Sequence, residues 1–181
     1  DAIRSRGLGD VYKRQVNEGE TSRNQIVLYY SKKKNYIFKD ASSNMILGGH
    51  SRHRGLEFTG SKFLNSKFSL RYAFNLAEHL YDFTNSNLGI SSGNDIDTSP
   101  NLFGSIFFNY EMNERINLQI EQEFMGEYFT ELSNLYIYKG HNLTNLRSSL
   151  EVNKNLKLNF SVLNLFDKAY AERADYSSFS G

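Results

Sequence analysis

The chain has 181 residues, with 21 Lys and Arg against 20 Asp and Glu, and a pI near 8.1. That balance gives no reason to expect a nucleic-acid partner, and the lack of cysteine excludes a disulfide framework, a CxxC redox motif and a cysteine zinc site. No run of about 18 apolar residues is present, so no transmembrane helix is encoded, yet a mean hydropathy of −0.54 is compatible with membrane strands whose polar and apolar residues alternate.

Residues 1–15, DAIRSRGLGDVYKRQ, have no usable period. The string resembles translated sequencing-adapter read-through and is set aside as a non-native segment, leaving 16–181 as one domain. Its Gly-Leu-Gly lacks the strand and helix that would make it a phosphate loop. The chain begins without Met or a signal peptide, which is read as a missing N-terminus.

Strand-like runs then alternate with turn clusters. A first strand is predicted from about Asn24 to Phe38, with Ile26, Leu28 and Tyr30 on one face. A loop from Lys39 to His50 leads to a second strand, Ser51 to Lys62, and a tight turn at Leu64-Asn65-Ser66. The third, Lys67 to about Asp82, sets Phe68, Leu70, Tyr72, Phe74 and Leu76 against Ser69, Arg71, Ala73 and Asn75. A long aperiodic loop, about Phe83 to Ser99, precedes a fourth strand, Pro100 to Glu111, which is apolar on both faces around Phe103–Phe108.

After a short turn at Met112-Asn113-Glu114, a fifth strand runs from Arg115 to about Tyr128. It opposes Ile116, Leu118, Ile120 and Phe124 to Asn117, Gln119, Glu121 and Glu123. A loop to about Gly140 leads to the sixth strand, His141 to Val152, and Asn153-Lys154-Asn155 turns into the seventh. There Leu156, Leu158, Phe160 and Val162 alternate with Lys157, Asn159 and Ser161 until Asn164-Leu165-Phe166-Asp167 ends the pattern.

Strands of about 10 to 15 residues exceed the usual 5 to 6 and suit a bilayer crossing, which needs about 9 to 11. Connections are long after strands one, three, five and seven and short after two, four and six, the asymmetry of outer-membrane barrels. The expected fold is all-β: an antiparallel up-and-down meander of about seven long strands, a partial transmembrane β-barrel. An odd count with open edges cannot close on itself, which is read as the mark of a fragment.

Val162, Asn164, Leu165, Phe166, Asp167 and Tyr170 resemble the V-x-N-L-F-D-x-x-Y signature before the last strand of TonB-dependent outer-membrane receptors. Tyr36-Ile37-Phe38 with Asp40, followed by Arg54-Gly55-Leu56-Glu57, is similar to that family's block ending in R-G-x-E. Gly126-Glu127-Tyr128 and Tyr138-Lys139-Gly140 through Leu143, Asn145, Leu146 and Arg147 resemble its G-x-Y…Y-x-G-x-x-L-x-N-L-R block, and Ala171–Tyr176 follows as in many members. The resemblance covers about Asn24 to Gly181.

It implies part of a barrel of roughly 22 strands filled by a plug, in the outer membrane of a Gram-negative bacterium. It further implies import of a ferric siderophore or other metal chelate, driven by an inner-membrane energy-coupling complex. Outer-membrane lipid and, in the full-length protein, that complex and the small-molecule ligand are the implied partners. The plug, the coupling box, much of the barrel and the final strand lie outside the matched blocks, so this stretch alone is not expected to transport.

No catalytic, cofactor-binding or metal-ligating residue is designated, and no cofactor is expected. His50, His53, His79 and His141 read as scattered polar residues with no metal-site spacing. Glu121 and Glu123 read as one wet strand face, and Ser, His and Asp show no triad and no G-x-S-x-G. Arg71 and Arg147 could meet a plug or an anionic ligand, without being assigned as sites. Two alternatives stand beside the receptor: an outer-membrane barrel protease or phospholipase, and a soluble β-sandwich binding module.

Overall fold

The computed structural model describes residues 11–39 and 45–174. Eight strands form one antiparallel sheet in the order β1-β2-β3-β4-β5-β6-β9-β10, every strand beside its sequence neighbour except where a small hairpin intervenes. The strands are β1 (Val11–Glu18), β2 (Ser22–Lys39), β3 (Met45–Phe63), β4 (Phe68–Tyr81), β5 (Leu102–Asn113), β6 (Ile116–Met125), β9 (His141–Asn153) and β10 (Leu156–Val162). The hairpin is β7 (Tyr128–Phe129) with β8 (Ile137–Tyr138). A 3-10 turn at Ser86–Leu88 is the sole helical element among the described residues. This is the expected meander, a partial barrel wall.

Two boundaries differ from the sequence reading. Residues Val11–Gln15, set aside above, pair with β2 from Tyr30 to Ile26 as part of β1, an additional strand. The loop predicted over Lys39–His50 is mostly sheet: Met45 pairs with Lys39, Ile46 with Phe38 and Gly49 with Tyr36, across two register shifts. Asn35 accommodates the irregularity with φ of 53°, a left-handed conformation that Asn tolerates. β2 and β3 thereby reach 18 and 19 residues, roughly 60 Å at about 3.3 Å per residue.

Register fixes the faces. Leu28, Leu56, Leu76 and Leu102 lie in one row across four strands, as do Tyr110, Phe68 and Leu118 lower down. With Ile26, Phe58, Phe74, Ile106, Phe108, Ile120, Leu146, Leu158, Phe160 and Val162 they form an apolar outer face. Among the described residues no second sheet covers it: Leu28 is 50% and Phe160 60% exposed, which contradicts the sandwich alternative. The opposite, inner face carries Gln25, Glu57, Thr59, Arg71, Asn75, Asn109, Gln119, Glu121, Glu123, Asn145, Arg147 and Asn159. The fourth predicted strand, ambiguous in sequence, turns Ile106 and Phe108 outward and Phe103 and Phe107 inward.

Three of the short connections use the same device. Asn65, Asn113 and Asn153 each accept backbone N–H bonds with Oδ1, from Lys67 at 2.9 Å, Arg115 at 2.9 Å and Asn155 at 2.9 Å. The Asx turn satisfies donors that the ending ladder leaves free. These turns gather at one end of the sheet, and the long connections 82–101 and 126–140 at the other.

Candidate ligand face and its loop cap

The inner face is a connected polar wall. Gln119 Nε2 donates to Asn109 Oδ1 at 2.7 Å, and Asn109 Nδ2 to Ser69 Oγ at 3.4 Å, linking β6, β5 and β4. The Arg71 guanidinium sits 5.0 Å from the centroid of the Phe107 ring, a cation–π contact that gives an inward Phe a polar partner. Glu121 accepts from the Arg147 guanidinium and from Asn145 Nδ2 at 3.0 Å. Its side chain is 12% exposed, so the two donors offset the cost of burying its charge. Of the two carboxylates read as one wet strand face, Glu121 is thus ion-paired with Arg147 on the neighbouring strand.

At the long-loop end the wall carries a cap. Tyr81, Ile90 and Leu132 form a buried core against Phe38, Phe83, Leu88 and Ile96. The rings of Phe38, Tyr81 and Phe83 lie within 5.8–6.2 Å of one another. The two long loops are zipped together: Asn94 Nδ2 donates to Leu132 O at 3.1 Å, Asp95 N to Asn134 Oδ1 at 2.7 Å, Asn134 Nδ2 to Asp95 O at 3.0 Å, and Thr98 N to Phe129 O at 2.8 Å.

Carboxylates set the electrostatics of the cap. Tyr81 Oη donates to Asp97 Oδ1 at 2.8 Å, and burial, only partly opposed by that bond, raises the Asp97 carboxyl above its ordinary range. Burial also works against the charge of Glu131. The Ser133 hydroxyl and the N–H groups of Leu135, Ser133 and Tyr136 outweigh it and hold Glu131 below the usual carboxylate value.

The sequence blocks quoted above converge beneath this cap. Tyr128 and Tyr138 lie 5.3 Å apart, and their hydroxyls accept from Ala174 N at 2.7 Å and Ala171 N at 3.1 Å. Tyr138 Oη contacts His141 Nδ1 at 2.8 Å, and the His141 ring lies 4.9 Å from Tyr170. Gly140 has φ of 75°, and a Cβ there would stand 2.7 Å from the backbone of Gly126; only glycine fits. Asn164, with φ of 52°, donates its N–H to Asn145 Oδ1 at 2.8 Å, and Leu165 N donates to Thr144 O at 2.7 Å. The exit turn is thus latched to β9.

The histidines are not all scattered. Register places His53 opposite His79, with their Nδ1 atoms 2.8 Å apart, and Ser51 Oγ lies 2.8 Å from His53 Nε2. One ring donates and the other accepts. Ser51 and His53 share a face by alternation, which sequence displays; their meeting with His79 depends on register, which it does not. The resulting Ser–His–His line is not an accessible nucleophile, because Ser51 is only 1% exposed. His50 lies apart, beside Phe83 at 6.3 Å. Among the described residues no group of three His, Asp or Glu is placed to hold a metal ion, and no helix is long and apolar enough to cross a membrane.

Residues 19–165 match the family model described as TonB dependent receptor-like, beta-barrel. No curated protein matches the chain. Among solved structures, the ferric citrate transporter FecA matches with a TM-score of 0.77 and 17% identity, over 89% of this chain and 26% of that one. The ferric yersiniabactin uptake receptor FyuA from Yersinia pestis matches with 0.74 and 15%, over 88% and 24%. The copper transporter OprC matches with 0.72 and 17%, over 90% and 25%. At such identities the likeness is one of fold, and the chain spans about a quarter of the length of these proteins.

Proposed function

The chain belongs to the TonB-dependent receptor β-barrel family, and we propose on that premise that it is part of the wall of an outer-membrane receptor importing a scarce ligand by energy-coupled transport. The observation that supports this best is the bare apolar outer face, including Leu28, Leu76, Ile120 and Phe160. In water such a surface would be a severe aggregation liability. Against hydrocarbon it is the complementary one, while the strands satisfy their own backbone groups. The partners are outer-membrane lipid and, for the full-length protein, an inner-membrane energy-coupling complex. The location is the outer membrane of a Gram-negative bacterium.

The ligand class we propose is a ferric siderophore or other metal chelate. Its support is that solved relatives of like fold carry ferric citrate, ferric yersiniabactin or copper in their names. The chain acts in binding and transport, not as an enzyme. We also hold to the reading of residues 1–15 as non-native. In support, the set-aside part of β1 turns Lys13 and Gln15 to the face on which β2 turns Leu28 and Ile26, an outer surface too polar for lipid.

The test is uptake of radiolabelled ferric chelates by iron-starved cells with and without the receptor that carries this chain. Expected are recovery of the receptor in the outer-membrane fraction, loss of uptake of one chelate on deletion, and the same loss when energy coupling is abolished. A receptor found in the soluble fraction would overturn the proposal, as would uptake of every chelate unchanged by deletion.

A further inference from the structure

Two imidazoles meet on the inner face where the wall runs under the cap. His53 on β3 and His79 on β4 are register partners, and alternation puts them on the side of Glu57 and Asn75. Their Nδ1 atoms are 2.8 Å apart, with ring centroids 5.0 Å apart and ring planes at 55°. Both residues are half-buried. Two supports hold them in place. Ser51 shares their face, sets Oγ 2.8 Å from His53 Nε2, is only 1% exposed and also bonds Tyr36. The His79 carbonyl accepts from Ile96 N at 2.8 Å, which ties β4 to the first cap loop at that residue. Lys33, the register partner of Ser51, and Asp95 act on the pair with charges of opposite sign.

We propose that the Nδ1 atoms of His53 and His79 form a cis pair of ligands for a bare divalent ion of the copper(II) class, with water in the remaining positions. Neutral imidazole is the commonest metal ligand among side chains. With metal–nitrogen bonds of about 2.0–2.1 Å, two ligands at a right angle stand roughly 2.9 Å apart, and two at the tetrahedral angle roughly 3.3 Å. The separation of 2.8 Å is close to the first value, which favours tetragonal Cu(II) or Ni(II) over tetrahedral Zn(II), and Cu(II) binds nitrogen sites more tightly than Ni(II). Binding turns both rings until their lone pairs converge. An ion on His53 Nδ1 requires the ring proton on Nε2, where Ser51 Oγ is placed to accept it. Such an outer partner fixes the tautomer and the aim of a ligating His. The one Nδ1 proton of the pair moves to Nε2 of its own ring, so no net proton is released. No third His, Asp or Glu among the described residues closes the site. The inference goes beyond the chelate import proposed above, because the wall itself takes the ion without a chelator.

The test uses the full-length protein carrying this chain, purified in mild detergent, stripped of metal and titrated with Cu(II) chloride. Calorimetry reads affinity, and electron paramagnetic resonance reads the nitrogens coupled to the ion. The parent is expected to show a saturable site with two coupled nitrogens. His53→Gln and His79→Gln should each bind that equivalent at least roughly tenfold more weakly, and Ser51→Ala about tenfold more weakly through loss of the orienting partner. His50→Gln should match the parent, and Zn(II) should bind less tightly than Cu(II). The parent spectrum and Ser51→Ala keep the inference testable if a histidine variant misfolds. Equal Cu(II) binding by the parent and both histidine variants would overturn it. So would a parent spectrum without nitrogen coupling, an equal loss in His50→Gln, or Zn(II) bound as tightly as Cu(II). A protein that imports a ferric chelate from the outer membrane but leaves Cu(II) unbound sinks this inference alone; a soluble protein whose histidine pair still binds Cu(II) sinks the receptor reading alone.

Discussion

Tyr72 lies across Gly60: a Cβ added to that glycine would stand 2.6 Å from the ring carbon bearing the Tyr72 hydroxyl. The two are register partners on β3 and β4, and the phenol passes over the glycine to donate to Asn24 Oδ1 on β2. The ring also stacks on Phe58 at 4.9 Å. Gly60→Val is therefore expected to push Tyr72 from its place and to destabilise the barrel by about 1–3 kcal/mol, the cost of overpacking. Urea unfolding of the detergent-solubilised receptor, followed by loss of heat-modifiable mobility, measures it. Adding Tyr72→Leu should recover part of the loss, since the shorter side chain no longer crosses the glycine.

Glu121 and Arg147 offer a second test. Removing Arg147 as Met leaves Glu121, little exposed, with Asn145 as its remaining donor. The single change should cost about 2–3 kcal/mol, and Glu121→Gln with Arg147→Met together less than the sum. A coupling of about 0.5–3 kcal/mol in the double-mutant cycle is the expected range for contacting charged residues. Additivity would mean that the pair contributes nothing to the wall.

Acid should loosen the cap through Glu131 and tighten it through Asp97. Glu131 is held below its ordinary 4.5 in the folded cap, so its contribution is full above about 4.5 and is lost as pH falls through the lower folded value. Asp97 is raised above 3.8; its ionisation costs stability at neutral pH, and protonation near the folded value removes that cost. Hydrogen exchange of residues 82–101 and 126–140 separates the two. At pH 7 Glu131→Gln should speed exchange and flatten its acid dependence, by about 1 kcal/mol for the weakened charge-assisted bonds. Asp97→Asn should slow it slightly. No response to Glu131→Gln would refute the assignment.

Asn164 combines a left-handed backbone with bonds from its side chain in both directions. Nδ2 donates to Lys168 O at 2.8 Å, and Oδ1 accepts from Lys168 N at 3.0 Å. Asn164→Ala loses both bonds and strains the backbone, for an expected cost of about 1–3 kcal/mol. Asn164→Gly relieves the strain but not the lost bonds and should cost less. The order Asn, Gly, Ala in proteolytic resistance of the 164–174 segment checks this; Ala as stable as Gly would contradict it.

The strands were legible where one face is apolar and the other polar. Leu118 against Gln119, or Phe160 against Asn159, needs no tertiary knowledge, because a period of two encodes its own faces. β5 resisted because Phe103 and Phe107 face inward; the reason, Arg71 above Phe107, lies on another strand. The first loop was overestimated because Ser42, Asn44 and Gly48 resemble turn residues, while the pairing of Met45 and Ile46 with Lys39 and Phe38 is a long, irregular hairpin that composition does not announce. The cap left no signal at all. Ile90 and Leu132 are single apolar residues in polar runs, and they become a core only when two loops distant in sequence meet. The NLFD turn was recognisable as a motif, but its latch onto Asn145 and Thr144 was not.

On the receptor reading proposed above, which puts the long loops outside the cell, the zipper between them bears on how this surface would be seen by an immune system. Asn94, Asp95 and Thr98 each have a hydrogen-bond partner on the other loop, at Leu132, Asn134 and Phe129, so the surface where the loops meet is built from both. An antibody raised against a synthetic peptide of residues 86–99 would learn a conformation the intact protein does not present. Serum that recognises living cells should instead need both segments at once, a discontinuous epitope destroyed by boiling.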